Sequence, residues 1–124
     1  MSTSRKKEAV ITIVINDSPY GNERPYNALR LAMALVKQGE TDLRIFLMGD
    51  AVVCGLAGQR THEGYYNIER MLKGLVRRAT ISACSTCMDA RGINDEDFTE
   101  GVKRGSTTPQ LAEWVAASDK VLVF

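Results

Sequence analysis

Residues 9–16 read AVITIVIN, a run that is apolar at almost every position and rich in β-branched side chains. Such a run is typical of a strand that is covered on both of its faces, as the strands of parallel sheets are. The stretch therefore predicts a central strand of a parallel sheet.

The chain continues from this strand into a turn and an amphipathic helix. Residues 17–21 (DSPYG) favour a turn, and Pro25 stands where the first turn of a helix tolerates proline. Apolar side chains then recur at helical spacing up to Gly39, at Tyr26, Leu29, Met33 and Val36. A second strand is predicted over residues 43–48 (LRIFLM).

The remaining elements continue the alternation of strands and helices. Asp50 is a plausible N-cap for a short helix over residues 51–56. Further elements are a helix from Asn67, a strand over 79–83, a short helical turn over 94–97, a small strand over 101–105, a helix from Thr108 and a strand over 121–124. This order predicts a three-layer α/β/α sandwich with a mostly parallel sheet of about five strands. At 124 residues the chain fits one domain, residues 1–124, with residues 1–8 as a flexible N-terminal arm.

Composition and charge exclude several classes of protein. The net charge is +1, with 44% apolar and 25% charged residues, as in an average soluble globular protein. No excess of charge indicates a nucleic-acid partner, and no apolar run approaches the roughly 20 residues of a membrane span. The N-terminus shows no signal-peptide cleavage pattern. We therefore expect a cytoplasmic protein that binds neither nucleic acid nor membrane.

The positions of the cysteines indicate that a functional site lies at one edge of the predicted sheet. An odd count of three, with two of them in CSTC at residues 84–87, argues against a framework of structural disulfides in a reducing compartment. Parallel sheets place ligand chemistry at the carboxyl ends of their strands. The predicted loops at residues 17–20, 49–50 and 84–92 all meet that rule and are expected along one edge.

Cys84 is the first candidate for chemistry. It follows a predicted strand and begins a loop that contains Arg91, so its thiol is expected to be exposed near a cation and near backbone N–H groups. These features lower a thiol pKa and increase the fraction of thiolate, the nucleophile in persulfide and disulfide chemistry. The negative charge of Asp89, in the same predicted loop, opposes this lowering of the Cys84 pKa. The alternative interpretation is a buried, inert cysteine that packs as a small apolar residue.

Cys87 stands at the spacing that lets two thiols form a small-ring disulfide, so it could resolve a persulfide on Cys84 or protect it from overoxidation. The pair also supplies half of a zinc site, but Cys54 and His62 do not stand in a paired ligand spacing, and no metal is predicted. Cys54 is interpreted as a packed structural thiol or as a further thiol in the exchange. His62 is interpreted as a surface residue in preference to a base or ligand.

No cofactor motif is present. Neither Gly21 nor the turn at residues 49–50 belongs to a GxGxxG or Walker pattern, so no nucleotide cofactor is predicted. Tyr20, Tyr26 and Tyr65 are candidates for a subunit interface if they prove to be exposed.

Taken together, several motifs resemble the DsrE/DsrF-like family of sulfur-relay proteins, and within it the small YchN-like branch. They cover nearly the whole chain and comprise PYG at residues 19–21, NALRLA at 27–32, FLMGDAV at 46–52, GLAGQ at 55–59, EGY at 63–65 with NI at 67–68, CSTCMDARG at 84–92 and SDKVL at 118–122. The resemblance implies a DsrE-like α/β fold that assembles into symmetric homo-oligomers, trimers or hexamers built from trimers, or into hetero-oligomers as in the better-studied sulfur-relay branches. It also implies that a cysteine eight residues before the glycine of an Arg-Gly pair carries a persulfide, which matches Cys84 before Gly92.

The hypothesis from the sequence is that Cys84 accepts sulfur from a persulfide, of a protein donor or of a small molecule, and passes it to an acceptor thiol. Arg91 would stabilise the anionic sulfur, and Cys87 would resolve the persulfide or take no part. Two alternatives stay open. One is a thiol-disulfide redox protein that uses Cys84 and Cys87, and the other is a non-catalytic oligomeric binding protein.

Overall fold

The computed structural model describes residues 8–124, in which five strands form one sheet. The strands are β1 (Ala9–Ile15), β2 (Thr41–Leu47), β3 (Thr80–Cys84), β4 (Val102–Gly105) and β5 (Lys120–Val123). They lie in the order β4-β3-β2-β1-β5, and every neighbouring pair is parallel. The predicted parallel sheet of about five strands is confirmed. The predicted arm over residues 1–8 lies, apart from Glu8, outside the described residues.

Four α-helices connect these strands: α1 (Arg24–Gln38), α2 (Ile68–Lys73), α3 (Ser85–Ala90) and α4 (Thr107–Ala117). Two 3₁₀ helices, Gly49–Gly55 and Asp95–Asp97, complete the connections. The chain crosses the sheet in one direction from β1 to β4 and then returns from β4 to β5. Since crossovers between parallel strands are right-handed, the return places α4 on the face opposite α1 and α2. The architecture is therefore three layers, α/β/α.

The two faces of the sheet differ in chemical character. Ile11, Ile13 and Ile15 of β1 alternate with Thr12 and Val14, so the first three point to one face and the other two to the opposite face. The isoleucines pack in a buried aliphatic core with their register partners on β2, Leu43, Ile45 and Leu47.

The opposite face, which α4 covers, carries buried polar groups. Thr12 and Ser118 share a hydrogen bond of 2.7 Å, and Gln110 of α4 donates to the Ser82 hydroxyl on β3 at 3.1 Å. The Trp114 ring packs edge-on against Phe46, with 5.9 Å between centroids. Helix α4 is thus held by side-chain hydrogen bonds as well as by apolar packing, which fixes where its first turn lies.

The predicted loop over residues 84–92 is wrong. Cys84 ends β3, and α3 begins directly after it at Ser85. The Cys84 sulfur acts as the N-cap by accepting a hydrogen bond from the Cys87 N–H at 3.2 Å. Gly92, at φ 65°, lies in the left-handed region that favours glycine, just after the helix end. A thiol cap is absent from the usual N-cap preferences, which is why the sequence pattern did not indicate this helix.

The predicted N-cap role of Asp50 is also wrong. The 3₁₀ helix already begins at Gly49, and its N-cap is Met48, which makes no side-chain capping hydrogen bond. Asp50 stands inside the first turn, where its carboxylate pairs with Arg91 instead. No helix within residues 8–124 combines the length and apolar character that a bilayer span requires.

Candidate functional site

The carboxyl ends of β1, β2 and β3 meet at one edge of the sheet, as predicted. The Gly49 N–H after β2 donates to the Cys87 sulfur in α3 at 3.2 Å. The Cys54 thiol donates to the backbone carbonyl of Asp17, after β1, at 3.8 Å. These contacts bring the segments that follow β1, β2 and β3 to the same edge, and the second and third of them carry the cysteines.

Cys84 is fully buried, so the prediction of an exposed thiol is wrong. Its sulfur lies 2.8 Å from the Thr107 hydroxyl oxygen in the first turn of α4 and 3.3 Å from the Thr86 hydroxyl oxygen in α3. Thr86 itself is exposed to solvent. The Cys84 sulfur therefore lies one side chain beneath the surface, covered where α4 starts beside α3.

The hydrogen bonds around Cys84 favour its thiolate. Burial raises the pKa of a thiol, but here the Cys87 side chain, the hydroxyls of Thr107 and Thr86, and the Cys87 N–H all hydrogen-bond to the sulfur. Together they outweigh burial and hold the pKa of Cys84 below its ordinary value. The structure thus keeps the expected direction of the shift and the expected backbone N–H, while side-chain hydrogen bonds take the place of the expected cation.

The pKa of Cys87 is shifted in the opposite direction. Burial, followed by the hydrogen bond with Cys84 and the negative charge of its thiolate, raises the pKa of Cys87. The N–H of Gly49 and the charge of Arg91 oppose that rise without cancelling it. The two thiols of the CxxC pair are therefore unequal, with the thiolate favoured on Cys84 and the proton on Cys87.

Arg91 lies beside Cys87 and acts on that cysteine. Its guanidinium forms an ion pair of 2.7 Å with Asp50 and donates to the Cys87 carbonyl oxygen at 3.0 Å. Its charge contributes to the pKa of Cys87, whereas it is absent from the groups that shift the pKa of Cys84. The structure brings together the three residues predicted for the site, with Arg91 on the Cys87 side.

Arg104, at β4, organises α3 and was not predicted. Its guanidinium donates to the Ser85 hydroxyl and to Asp89 and Asp95, at 3.0, 2.9 and 2.7 Å. Because Asp89 is paired in this way, it does not act on Cys84 as the sequence suggested. A basic residue in a small edge strand, shortly after acidic residues, was the only signal in the sequence for this ion-pair cluster.

Thr107 and Thr86 were also missed. Their hydroxyl oxygens lie 3.1 Å apart, and each is within hydrogen-bond distance of the Cys84 sulfur. Thr86 stands inside the CxxC motif and could have been noticed there. Thr107 is 23 residues away from Cys84, and no local pattern links the two positions.

Cys54 and His62 are absent from the groups that shift the pKa values of Cys84 and Cys87. Burial raises the pKa of Cys54 to about 12, and its side chain packs in the core as one of the two interpretations predicted. His62 is exposed in a loop, which is the surface position expected for it. Within residues 8–124, no group of three or more His, Cys, Asp or Glu side chains is arranged to hold a metal ion.

The tyrosines form a cluster that fixes the loop before α2. Tyr66 stacks between Tyr20 and Tyr26, with ring centroids 5.8 and 4.3 Å apart. The Tyr20 hydroxyl donates to the Gln59 side chain at 2.5 Å and accepts the Ile68 N–H at 3.1 Å. Of the three tyrosines proposed for an interface, Tyr65 is 71% exposed, while Tyr20 and Tyr26 are half-buried in this cluster.

Comparison with known proteins agrees with this fold. The model of the DsrE/DsrF-like family matches residues 9–124. Protein YchN of Escherichia coli (strain K12) is 48% identical over 116 residues, which cover 92% of this chain and 97% of YchN. A crystal structure of the E. coli ychN protein superimposes with a TM-score of 0.88 at 47% identity, covering 94% of this chain and 99% of that one. A sulfurtransferase TusD homolog of Vibrio parahaemolyticus is 31% identical over 105 residues, covering 82% of this chain and 78% of the homolog.

Proposed function

The chain belongs to the DsrE/DsrF-like family, and we propose that it works there as a sulfur-relay protein whose Cys84 accepts sulfane sulfur and hands it on. The observation that carries the proposal is the set of hydrogen bonds around the Cys84 sulfur, which favours a thiolate at the carboxyl edge of a parallel sheet. The similarity to a protein named as a sulfurtransferase TusD homolog supports the same class of chemistry.

The proposed transfer is an exchange between thiolates and persulfides. The Cys84 thiolate attacks the terminal sulfur of a persulfide R–S–SH, the donor S–S bond breaks, and R–S⁻ leaves as Cys84–S–SH forms. An acceptor thiolate then attacks the outer sulfur of Cys84–S–SH and regenerates the Cys84 thiolate. Sulfane sulfur moves in both steps without net oxidation, so neither step requires a cofactor.

The burial of Cys84 limits which partners can reach its sulfur. Because the sulfur is buried beneath Thr86, a donor persulfide reaches it only when the side chains over the start of α3 and α4 move aside. Protein partners that dock against this edge could bring about such a movement. We therefore propose protein persulfide donors and acceptor thiols as the partners, in a reducing cytoplasm where free cysteines such as these persist.

Cys87 is proposed to limit the lifetime of the persulfide. Its thiol can attack the inner sulfur of Cys84–S–SH, so that a Cys84–Cys87 disulfide forms and hydrogen sulfide leaves. Burial, the largest cause of the raised pKa of Cys87, disfavours the Cys87 thiolate and so slows this step relative to hand-over. Arg91 favours the Cys87 thiolate and so sets how fast the step occurs.

Self-association into trimers or hexamers stays a prediction from the family resemblance. It is supported by large apolar side chains at the surface of α1, α4 and the edge strand β5. They are Leu31, Met33, Val115, Val121 and Val123, of which Val123 is 67% exposed.

A second candidate function is thiol-disulfide exchange without sulfane sulfur. The observation in its favour is the inequality of the CxxC thiols, a lowered pKa at Cys84 and a raised pKa at Cys87, which suits attack by the first and resolution by the second. In that reaction Cys84 attacks a substrate disulfide, Cys87 releases the mixed disulfide, and the protein ends oxidised.

Intact-protein mass spectrometry distinguishes the two candidates. The reduced wild type, Cys84→Ser and Cys87→Ser are each exposed to a persulfide donor. Sulfur relay predicts one added sulfur atom, labile to dithiothreitol, on the wild type and on Cys87→Ser but not on Cys84→Ser. Cys54→Ser serves as the matched control, because Cys54 is buried with its pKa raised to about 12, and it should load like the wild type.

Three results would contradict sulfur relay by Cys84. If the wild type merely loses two hydrogens and neither variant of the pair is modified, the protein is a redox protein. If sulfur still loads on Cys84→Ser, Cys84 is not the acceptor. A wild type that reacts in neither way would leave the non-catalytic binding protein as the interpretation.

A further inference from the structure

The first turn of α4 is attached at two points to the end of β3. On β3, Ser82 and Cys84 are two residues apart and point to the same face of the sheet. On α4, Thr107 and Gln110 are three residues apart and lie on the same side of the helix. Gln110 donates to the Ser82 hydroxyl at 3.1 Å, and Thr107 lies 2.8 Å from the Cys84 sulfur.

Gly105 makes this close approach possible. It is the register neighbour of Cys84 on β4 and is buried between β3 and α4. A Cβ at this position would overlap the Gln110 side chain and come within 3.1 Å of the Ser82 Cβ. Any larger residue would therefore displace the Gln110 side chain and break its hydrogen bond with Ser82.

The geometry points to a further residue of the site: we propose that the Thr107 hydroxyl donates a hydrogen bond to the Cys84 thiolate and so makes Cys84, rather than Cys87, the sulfur that attacks. This inference rests on the proposed function for its biological meaning. Its chemistry rests on the structure, because the Thr107 hydroxyl oxygen lies 2.8 Å from the Cys84 sulfur, which is the reacting atom.

The directions of the hydrogen bonds follow from the donors available. A thiolate has no proton, so when Cys84 is deprotonated the hydroxyls must be the donors. Thr86 and Thr107 are 3.1 Å apart, so Thr86 can donate to Thr107 while Thr107 donates to the sulfur. Hydrogen bonds to an ionised acceptor are about twice as strong as those between neutral groups. This chain of hydroxyls therefore stabilises the anion more than the neutral thiol.

The sulfurs of Cys84 and Cys87 differ in the hydrogen-bond donors that contact them. Among the side chains and backbone groups outside the pair, the hydroxyls of Thr107 and Thr86 contact the Cys84 sulfur, whereas the Cys87 sulfur receives the Gly49 N–H. The Thr107 contact, at 2.8 Å, is the shortest of these. Removal of this donor should move part of the negative charge from Cys84 to Cys87.

The test is the pH profile of alkylation at Cys84, with the modified cysteine located by fragmentation mass spectrometry. The plateau at high pH reports how accessible the sulfur is, whereas the midpoint reports the fraction of thiolate. Thr107→Val keeps the shape of the side chain and removes the donor. Thr107→Ser restores the hydroxyl, and Thr108→Val changes an exposed neighbour in the same turn.

We expect Thr107→Val to raise the midpoint by about one pH unit and so to slow alkylation at neutral pH about tenfold. Thr107→Ser should return the midpoint to that of the wild type, and Thr108→Val should leave it unchanged. The serine variant also guards against misfolding, because it retains the donor with a smaller side chain.

An unchanged midpoint in Thr107→Val would overturn the proposal, as would a raised midpoint that Thr107→Ser fails to restore. The measurement uses no sulfur donor, so it decides the role of Thr107 independently of sulfur loading. A wild type with the expected midpoint that accepts no sulfur would instead refute the proposed function alone.

Discussion

The Arg91 guanidinium and the Asp50 carboxylate form an ion pair of 2.7 Å that joins the end of α3 to the 3₁₀ helix after β2. Arg91 also donates to the Cys87 carbonyl oxygen, so the same side chain bridges two segments of the edge where the cysteines lie. The positive charge beside Cys87 is thus held in place by Asp50, the residue that the sequence predicted as a helix N-cap.

This position predicts an effect of Arg91 on Cys87. The charge of Arg91 opposes the rise in the pKa of Cys87, so Arg91→Gln should raise that pKa further. Because Arg91 is partly exposed, we expect a shift of only a fraction of a pH unit. Nuclear magnetic resonance titration of cysteines labelled with ¹³C at Cβ measures it. Arg91→Lys keeps the charge and should titrate close to the wild type; a Cys87 midpoint that falls in Arg91→Gln would contradict this role.

Cys54 should make stability depend on pH in the alkaline range. Burial raises the pKa of Cys54 from 9.0 to about 12 in the folded protein. Between these values the unfolded chain loses this proton and the folded protein keeps it, so the free energy of unfolding should fall as pH rises through this window. Urea unfolding at several pH values measures the slope. In Cys54→Ala the alkaline slope should be shallower, and an identical slope would show that Cys54 does not titrate as stated.

Tyr20 should stabilise the loop before α2 through its hydroxyl. Tyr20→Phe keeps the stacked ring but leaves the buried Ile68 N–H without its acceptor, a loss that we expect to cost about 1–3 kcal/mol in unfolding free energy. Limited trypsin digestion should then cut faster after Arg60, which lies in that loop. Tyr65→Phe, at an exposed tyrosine, should change neither measurement. Equal effects of the two variants would show that the hydrogen bonds of Tyr20 are not what holds the loop.

Gly101 should tolerate alanine far less well than Gly21. Both have left-handed backbone angles, at φ 95° and 98°. A Cβ on Gly101 would lie 2.8 Å from the Val76 Cβ, whereas one on Gly21 would meet nothing within 4 Å. Both variants carry the backbone strain, but only Gly101→Ala adds overpacking, which typically costs about 1–3 kcal/mol. Chemical denaturation of the two variants gives the difference directly, and the prediction is wrong if they are equally stable.

The elements with a local pattern were predicted well from the sequence. The run at residues 9–16 became β1, and the apolar spacing after Pro25 became α1, which ends before Gly39 as expected. Such patterns report which side of an element is buried, and that is decided within a few residues of chain. Parallel sheets place ligand chemistry at the carboxyl ends of their strands, and this rule predicted one edge for the Cys84–Cys87 pair and Gly49. The hydrogen bond from Gly49 to Cys87 agrees with that prediction.

The surroundings of the pair were predicted less well, because they depend on contacts between distant segments. Cys84 was expected to be exposed, and it is buried because α4 returns across the sheet and lays Thr107 against it. Arg91 was expected to act on Cys84, yet Asp50 and the Cys87 carbonyl hold it on the other side of the pair. No local residue pattern contains this information, because Cys84 and Thr107 are 23 residues apart in the chain.

The sequence by itself determined the family, the parallel sheet and the edge at which the cysteines lie, since each follows from local periodicity, from motifs and from the order of elements. Only the tertiary structure decided which groups shift the pKa of Cys84 down and that of Cys87 up. Those shifts depend in part on hydrogen bonds to Cys84 and Cys87 from groups as far apart in the chain as Gly49 and Thr107. Hydrogen bonds and burial shift a thiol pKa over distances of a few ångströms, and only folding brings such groups within that range.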